Sequence, residues 1–129
     1  MSGLSQIGQI DYTVIYARDF DAMRRFYEEV MGFPLTRTLS ARWLEYKIGP
    51  TILALTTYGG RFDDPQLPPG ALSVQLAFRV PPEAVAVCAE ELQAKGVALE
   101  SPVTDQPFGH RTVFFRDPDG NILEIYAEI

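Results

Sequence analysis

Glu124 interrupts the apolar run Ile122, Leu123, Ile125 and Tyr126 close to the end of the chain. A carboxylate buried bare is very costly, so in such a strand it must be paired, bound to a cation or protonated. The chemistry open to it is that of a general base or a hard-metal ligand. The plainer reading is a half-exposed side chain near a rim, simply solvated. His110 is the only histidine, which excludes a multi-histidine metal site within one chain. It follows Gly109 where a loop meets a strand, and there it either contacts substrate and moves a proton or lies at the surface. Tyr12 offers a phenol for hydrogen bonding or protonation, or is a core aromatic with its hydroxyl satisfied. Trp43, Phe114 and Tyr126 form an aromatic wall for a planar ligand, or pack as core. Arg79 binds an anion or ends a strand. Cys88 falls on the apolar stripe of a helix and reads as inert packing. The pairs in "EEL" and "EEV" read as solvated helix faces. No Gly-rich phosphate loop, nucleophile elbow or CxxC pair is present.

The elements that must position these groups follow from periodicity. "QIDYTVIYA" alternates with period two, placing Tyr12, Val14 and Tyr16 on one face and Thr13, Ile15 and Ala17 on the other. "RDFDAMRRFYEEVMGF" reads as a helix capped by Asp19, with an apolar stripe through Met23, Phe26 and Tyr27, ending at Gly32. "RWLEYKIGPTILALTTY" reads as two strands joined near Gly49-Pro50. "GGRFDDPQLPPG" is dense in proline and glycine and reads as a linker. The pattern then restarts. "LSVQLAFRV" is a strand with Leu76 and Phe78 on one face, and Gln75, Ala77 and Arg79 on the other. "PPEAVAVCAEELQAKG" is a helix, "VALE" a strand, and "SPVTDQPFG" a loop. In the final hairpin, Asp117-Pro118-Asp119-Gly120 fits a type I turn with Gly120 left-handed. Asp117 then pairs with Asn121, and Phe114 falls opposite Glu124. One face holds Glu124, Ile122, Tyr126, Phe114, Thr112 and His110; the other holds Leu123, Ile125, Val113 and Phe115. Both faces are largely apolar, so each needs a cover. The order strand, helix, three strands occurs twice.

The composition sets outer limits. At 129 residues the chain holds one domain with a real core, and 47% hydrophobic with 22% charged residues is ordinary for a globular protein. A net charge of -6 and scattered Lys and Arg exclude nucleic acid and anionic membrane as main partners. One cysteine forbids an intrachain disulfide. "MSGLSQIGQ" lacks the basic start and apolar run of a signal peptide, and no apolar stretch spans a membrane, so the expected location is cytoplasmic.

The segments "RDFDAMRRFYEEVMGF" and "FGHRTVFFRDPDGNILEIY", with an opening strand, resemble the vicinal oxygen chelate superfamily over nearly the whole chain. That group includes glyoxalase I, extradiol dioxygenases, and bleomycin- and fosfomycin-resistance proteins. The resemblance implies an α+β fold of two βαβββ modules. Each curls a sheet into a half-barrel with its helix packed outside. The expected division of the single domain, residues 1–129, is module one at about 8–58, a linker at about 59–70 and module two at about 71–129. The resemblance also implies four ligand positions in metal-dependent members, which fall here on Tyr12, Ala54, Gln75 and Glu124. Ala54 cannot ligate, a neutral phenol at Tyr12 ligates poorly, and Gln75 is a weak donor. Gln75 and Glu124 could together hold a hydrated divalent cation only loosely. The expected cofactor is thus none, or a weakly bound divalent metal.

Three functions follow as expectations. The first is a small-molecule binding protein of the glyoxalase and bleomycin-resistance type, holding an apolar or aromatic ligand in a barrel cavity without tight metal. The second is an enzyme, a glyoxalase-like lyase or isomerase or a dioxygenase, with Glu124 as base or metal ligand. The third is a metal-free interaction module whose cavity its own side chains fill. A homodimer is expected, because in relatives two modules must meet edge to edge to close a barrel. Fold alone does not choose among these, because one scaffold hosts many chemistries.

Overall fold

The computed structural model describes residues 3–129; Met1 and Ser2, at the head of the stretch read as lacking a signal peptide, lie outside the described residues. The chain divides into two compact units, Met1–Pro65 and Gln66–Ile129, and the division falls within the proline-rich stretch. Each unit contains a four-stranded mixed sheet with a helix on one face, and neither sheet closes into a barrel by itself.

In the first unit β1 (Tyr12–Ala17) leads to α1 (Phe20–Arg25), a π-helical turn (Phe26–Val30), β2 (Leu35–Ser40), β3 (Trp43–Ile48) and β4 (Thr51–Thr57). The strand order is β1-β4-β3-β2, with β1 and β4 parallel and the rest antiparallel. The period-two reading of β1 holds. Ile15 and Ala17 of β1, Leu44 and Tyr46 of β3, and Leu53 and Leu55 of β4 point to the helix side and are buried with Met23, Phe26 and Tyr27. The Asp19 carboxylate caps α1 by accepting from the Ala22 amide at 3.1 Å, and Gly32 takes the left-handed φ of 69° that ends the helical segment. The expected single helix instead widens into a π turn, in which the Met31 amide donates to the Phe26 carbonyl at 3.0 Å. That turn contains Glu28. Its Oε2 accepts from the Tyr46 hydroxyl at 2.8 Å and from Arg24 Nε at 2.9 Å. "EEV" is therefore more than a solvated face: Glu28 ties the helical segment to β3. Burial and the Glu28 carboxylate together hold the Tyr46 hydroxyl above the usual phenol range.

In the second unit β5 (Gln75–Arg79) leads to α2 (Ala84–Ala94), β6 (Thr104–Asp105), β7 (His110–Arg116) and β8 (Ile122–Glu128), in the order β5-β8-β7-β6. Val113, Phe115, Leu123, Ile125 and Ala127 are buried on the helix side together with Val85, Ala89 and Leu92 of α2. Cys88 is half-buried, and burial raises its thiol pKa, as suits a packing residue. The strand expected over "VALE" reduces to one bridge, Leu99 to Phe115. Pro102 follows closely and cannot donate to a ladder. The short β6 forms inside the expected loop "SPVTDQPFG", where Thr104 faces Thr112 and Asp105 faces Arg111.

The final hairpin has the expected register: Phe114 faces Glu124, and the Asp117 amide donates to the Asn121 carbonyl at 3.1 Å. Gly120 adopts φ 90°. Asp117 is buried within the turn. Its Oδ1 accepts from the amides of Asp119 at 3.1 Å and Asn121 at 3.0 Å, and its Oδ2 from Asn121 Nδ2 at 2.9 Å. Asn121 Oδ1 in turn accepts from Ser73 Oγ at 2.7 Å, which pins the approach to β5 against the hairpin.

Candidate functional site

Each sheet turns one face towards its helix and leaves the other open. The register sets what lies on each open face, because directly opposed residues point the same way.

On module one the open face carries Tyr12, Val14 and Tyr16 from β1, Ile52, Ala54 and Thr56 from β4, and Trp43, Glu45 and Lys47 from β3. Tyr12 and Tyr16 are 42% and 38% exposed, whereas Ala54 is fully buried. Across the middle of the sheet runs the row Val14, Ala54, Glu45. Glu45 is only 5% exposed, and its Oε2 accepts from Trp43 Nε1 at 2.8 Å. The sequence reading did not single out Glu45. The alternation in "RWLEYKI" was the available signal: with Leu44 and Tyr46 on the helix side, Trp43, Glu45 and Lys47 must lie opposite. Beside this row opens a cleft of about 520 Å³, walled by Val14, Tyr16, Leu39, Trp43, Thr56 and Phe62. Tyr16 and Tyr58 form a tilted ring pair at 5.8 Å at its edge.

On module two the open face carries Gln75, Ala77 and Arg79 from β5, Ile122, Glu124, Tyr126 and Glu128 from β8, and His110, Thr112 and Phe114 from β7. The corresponding row is Ala77, Glu124, Phe114. The central carboxylate thus sits on β8 in module two and one strand over, on β3, in module one. Glu124 is half-buried and makes no hydrogen bond or ion pair among the described residues. Its partial exposure removes the need for a partner. Gln75 is exposed. Thr112 is buried, and its Oγ1 accepts from Gln106 Nε2 at 3.1 Å. His110 is half-buried and packs on Tyr126 at 4.8 Å and on the exposed Phe108 at 5.3 Å, an aromatic group at the end of the face. Arg79 is engaged in an exposed pair with Glu128 at 3.2 Å.

The structure therefore brings Gln75, His110, Thr112, Phe114, Glu124 and Tyr126 to one face, and Tyr12, Trp43 and Ala54 to another. Among the described residues no three His, Cys, Asp or Glu side chains gather as metal ligands. Taken unit by unit, Tyr12 and Ala54 supply one phenol oxygen, and Gln75 and Glu124 one amide and one carboxylate, fewer than the three good protein ligands that a tightly held transition metal takes.

These modules match known proteins. The virulence protein STM3117 of Salmonella typhimurium is 31% identical over 121 residues, covering 92% of this chain and 83% of that protein. A lactoylglutathione lyase from Agrobacterium tumefaciens is 28% identical with a TM-score of 0.75, covering 94% of each chain. A glyoxalase/bleomycin resistance protein/dioxygenase from Nocardioides superposes with a TM-score of 0.82 at 22% identity, over 96% of this chain and 85% of that one. The family model for the Glyoxalase/Bleomycin resistance protein/Dioxygenase superfamily matches residues 9–125, and with two βαβββ modules to carry that match, the chain belongs to this superfamily.

Proposed function

We propose that this chain is a small-molecule binding protein that holds an apolar or aromatic ligand on its open sheet faces without a tightly bound metal. The observation that carries this reading is the cleft of about 520 Å³ on module one, an aromatic-walled concavity of the size used for small ligands. The donor set at the family's ligand positions supports it, since Ala54 offers nothing and Tyr12 little. The strands β1 and β5 end their sheets, and each open face needs a cover. We therefore assign the functional form to a homodimer in which two copies supply that cover.

A second reading rests on Glu124. A half-buried carboxylate with no hydrogen bond or ion pair among the described residues is available as a base or ligand. One relative of the same fold is a lactoylglutathione lyase. That reading makes the chain a Glu124-dependent lyase, isomerase or dioxygenase. Elemental analysis of the sedimenting species separates the two. The expected result is a dimer at micromolar concentration carrying well under one equivalent of transition metal. A monomer would remove the pairing. Near-equimolar metal, lost on Glu124→Ala, would replace the binding reading with the enzymatic one.

A further inference from the structure

The cleft on module one has one chemically distinct end. Most of its polar groups are already committed. Thr56 Oγ1 donates to the Arg42 carbonyl at 2.8 Å. Thr57 Oγ1 accepts from Arg42 Nε at 2.6 Å, and Arg42 Nη2 donates to the Tyr58 carbonyl at 2.6 Å. The Trp43 indole N–H belongs to Glu45. What these residues offer a ligand is ring and methyl surface. The exceptions are the Tyr16 hydroxyl and Arg61, an exposed guanidinium; neither makes a hydrogen bond or ion pair among the described residues, and of the two Arg61 alone carries a charge.

We infer that this cleft takes a planar aromatic molecule bearing one anionic group, a carboxylate or sulfonate, with its ring against Trp43 and its anion at Arg61. The inference rests on the small-molecule reading above and specifies its ligand class. A guanidinium presents parallel N–H donors that match a carboxylate, and it remains charged at every working pH. Glu45 sets the direction of entry. An anion pushed towards the indole N–H would meet a buried carboxylate that already holds that donor, so the anion stays at the rim. The net charge of -6 opposes an anion at long range, but salt screens exposed charges beyond about 8–10 Å, and the Arg61 contact is local. Tyr16 and Phe62 also line a second hollow of about 320 Å³ whose charged group is Asp64. A cationic ligand would select that hollow instead.

The chain's one tryptophan, Trp43, lies in the cleft wall, so its fluorescence reports occupancy of this site. The probes are three nitroaromatic quenchers that differ in charge: 4-nitrobenzoate, 4-nitrobenzyl alcohol and 4-nitrobenzylammonium. In the wild-type protein 4-nitrobenzoate should bind roughly tenfold more tightly than the alcohol, in line with a charge-assisted hydrogen bond, and the ammonium most weakly. Arg61→Gln should bring the carboxylate down to the alcohol and leave the alcohol unchanged. Arg61→Glu should reverse the order of the two charged probes. Thermal melts identify folded variants, and an exposed arginine with no hydrogen bond or ion pair among the described residues should be replaceable without unfolding. If carboxylate and alcohol bind alike in the wild type, or Arg61→Gln preserves the carboxylate's advantage, anion recognition is wrong while small-molecule binding stands. Tightest binding by the ammonium also overturns the inference, in favour of Asp64. Quenching by none of the three overturns both the inference and the binding reading.

Discussion

Phe115→Ala is expected to remove about 3–5 kcal/mol of stability, while Phe114→Ala, one residue earlier, removes roughly 1 kcal/mol. The two rings are adjacent in sequence and opposite in environment. Phe115 is fully buried on the helix side of β7, across from Leu123 and bridged to Leu99. Truncation there leaves a cavity in a layer that α2 covers, and the surrounding strands cannot collapse into it freely. Phe114 is half-buried on the open face beside Glu124, where water can refill the space. Urea unfolding followed by far-UV circular dichroism measures both, because Trp43 lies in the other unit and would report on that unit instead. Equal losses at the two positions would mean that the faces are wrongly assigned.

Asp117→Ala should cost about 3 kcal/mol, a large effect for a turn residue. The substitution strands three donors at once: the amides of Asp119 and Asn121 and the Asn121 side-chain NH₂. Asp117, Asp119 and Asn121 are all buried, so water does not readily replace the carboxylate. The loss also frees Asn121, whose Oδ1 holds Ser73, so the approach to β5 should loosen along with the turn. Asp117→Asn keeps the shape and one acceptor, and it should cost about half as much. Thermal unfolding gives the magnitude, and hydrogen exchange at the Asp119 and Asn121 amides locates it. A loss under about 1 kcal/mol for Asp117→Ala, with those amides still protected, would show that the turn does not depend on its carboxylate.

The same turn shows what a sequence can reveal. Asp-Pro-Asp-Gly encodes its own geometry through a fixed φ, a local acceptor and a left-handed glycine. From it follow the register of β7 on β8, the pairing of Phe114 with Glu124, and the membership of both faces. β1 was equally legible from its period-two alternation, whereas β3 and β4, each buried over three consecutive residues at its middle, were read from the Gly49-Pro50 turn that joins them. β2 was not located, because every one of its residues is exposed and no burial pattern marks it. β6 has two residues and lies between prolines, where composition signals a loop. The bond from Tyr46 to Glu28 joins residues 18 apart, and no local pattern records it.

The candidate site divides in the same way. Glu124 drew notice because a carboxylate is out of place in an apolar strand. Glu45 has the same setting, between Leu44 and Tyr46, yet the charged residues near it in "RWLEYKI" made it look unexceptional. Its relation to Ala54 belongs to the sheet register, which pairs the small side chain of β4 with the carboxylate of β3. Arg61 lay in a stretch read as linker, and only the folded loop places it beside Trp43 and Phe62.

The most direct test of a metal-free binding protein is a thermal-shift screen of small aromatic compounds, run in parallel with and without EDTA. A ligand present at about a hundred times its Kd stabilises a one-site protein by about 2.7 kcal/mol, a rise in Tm on the order of 5–10 °C for a chain of this size. The expected result is that some compounds raise Tm by that amount and that the chelator leaves the shift unchanged. No shift from any compound, or a shift that EDTA abolishes and an added divalent metal restores, would contradict the account.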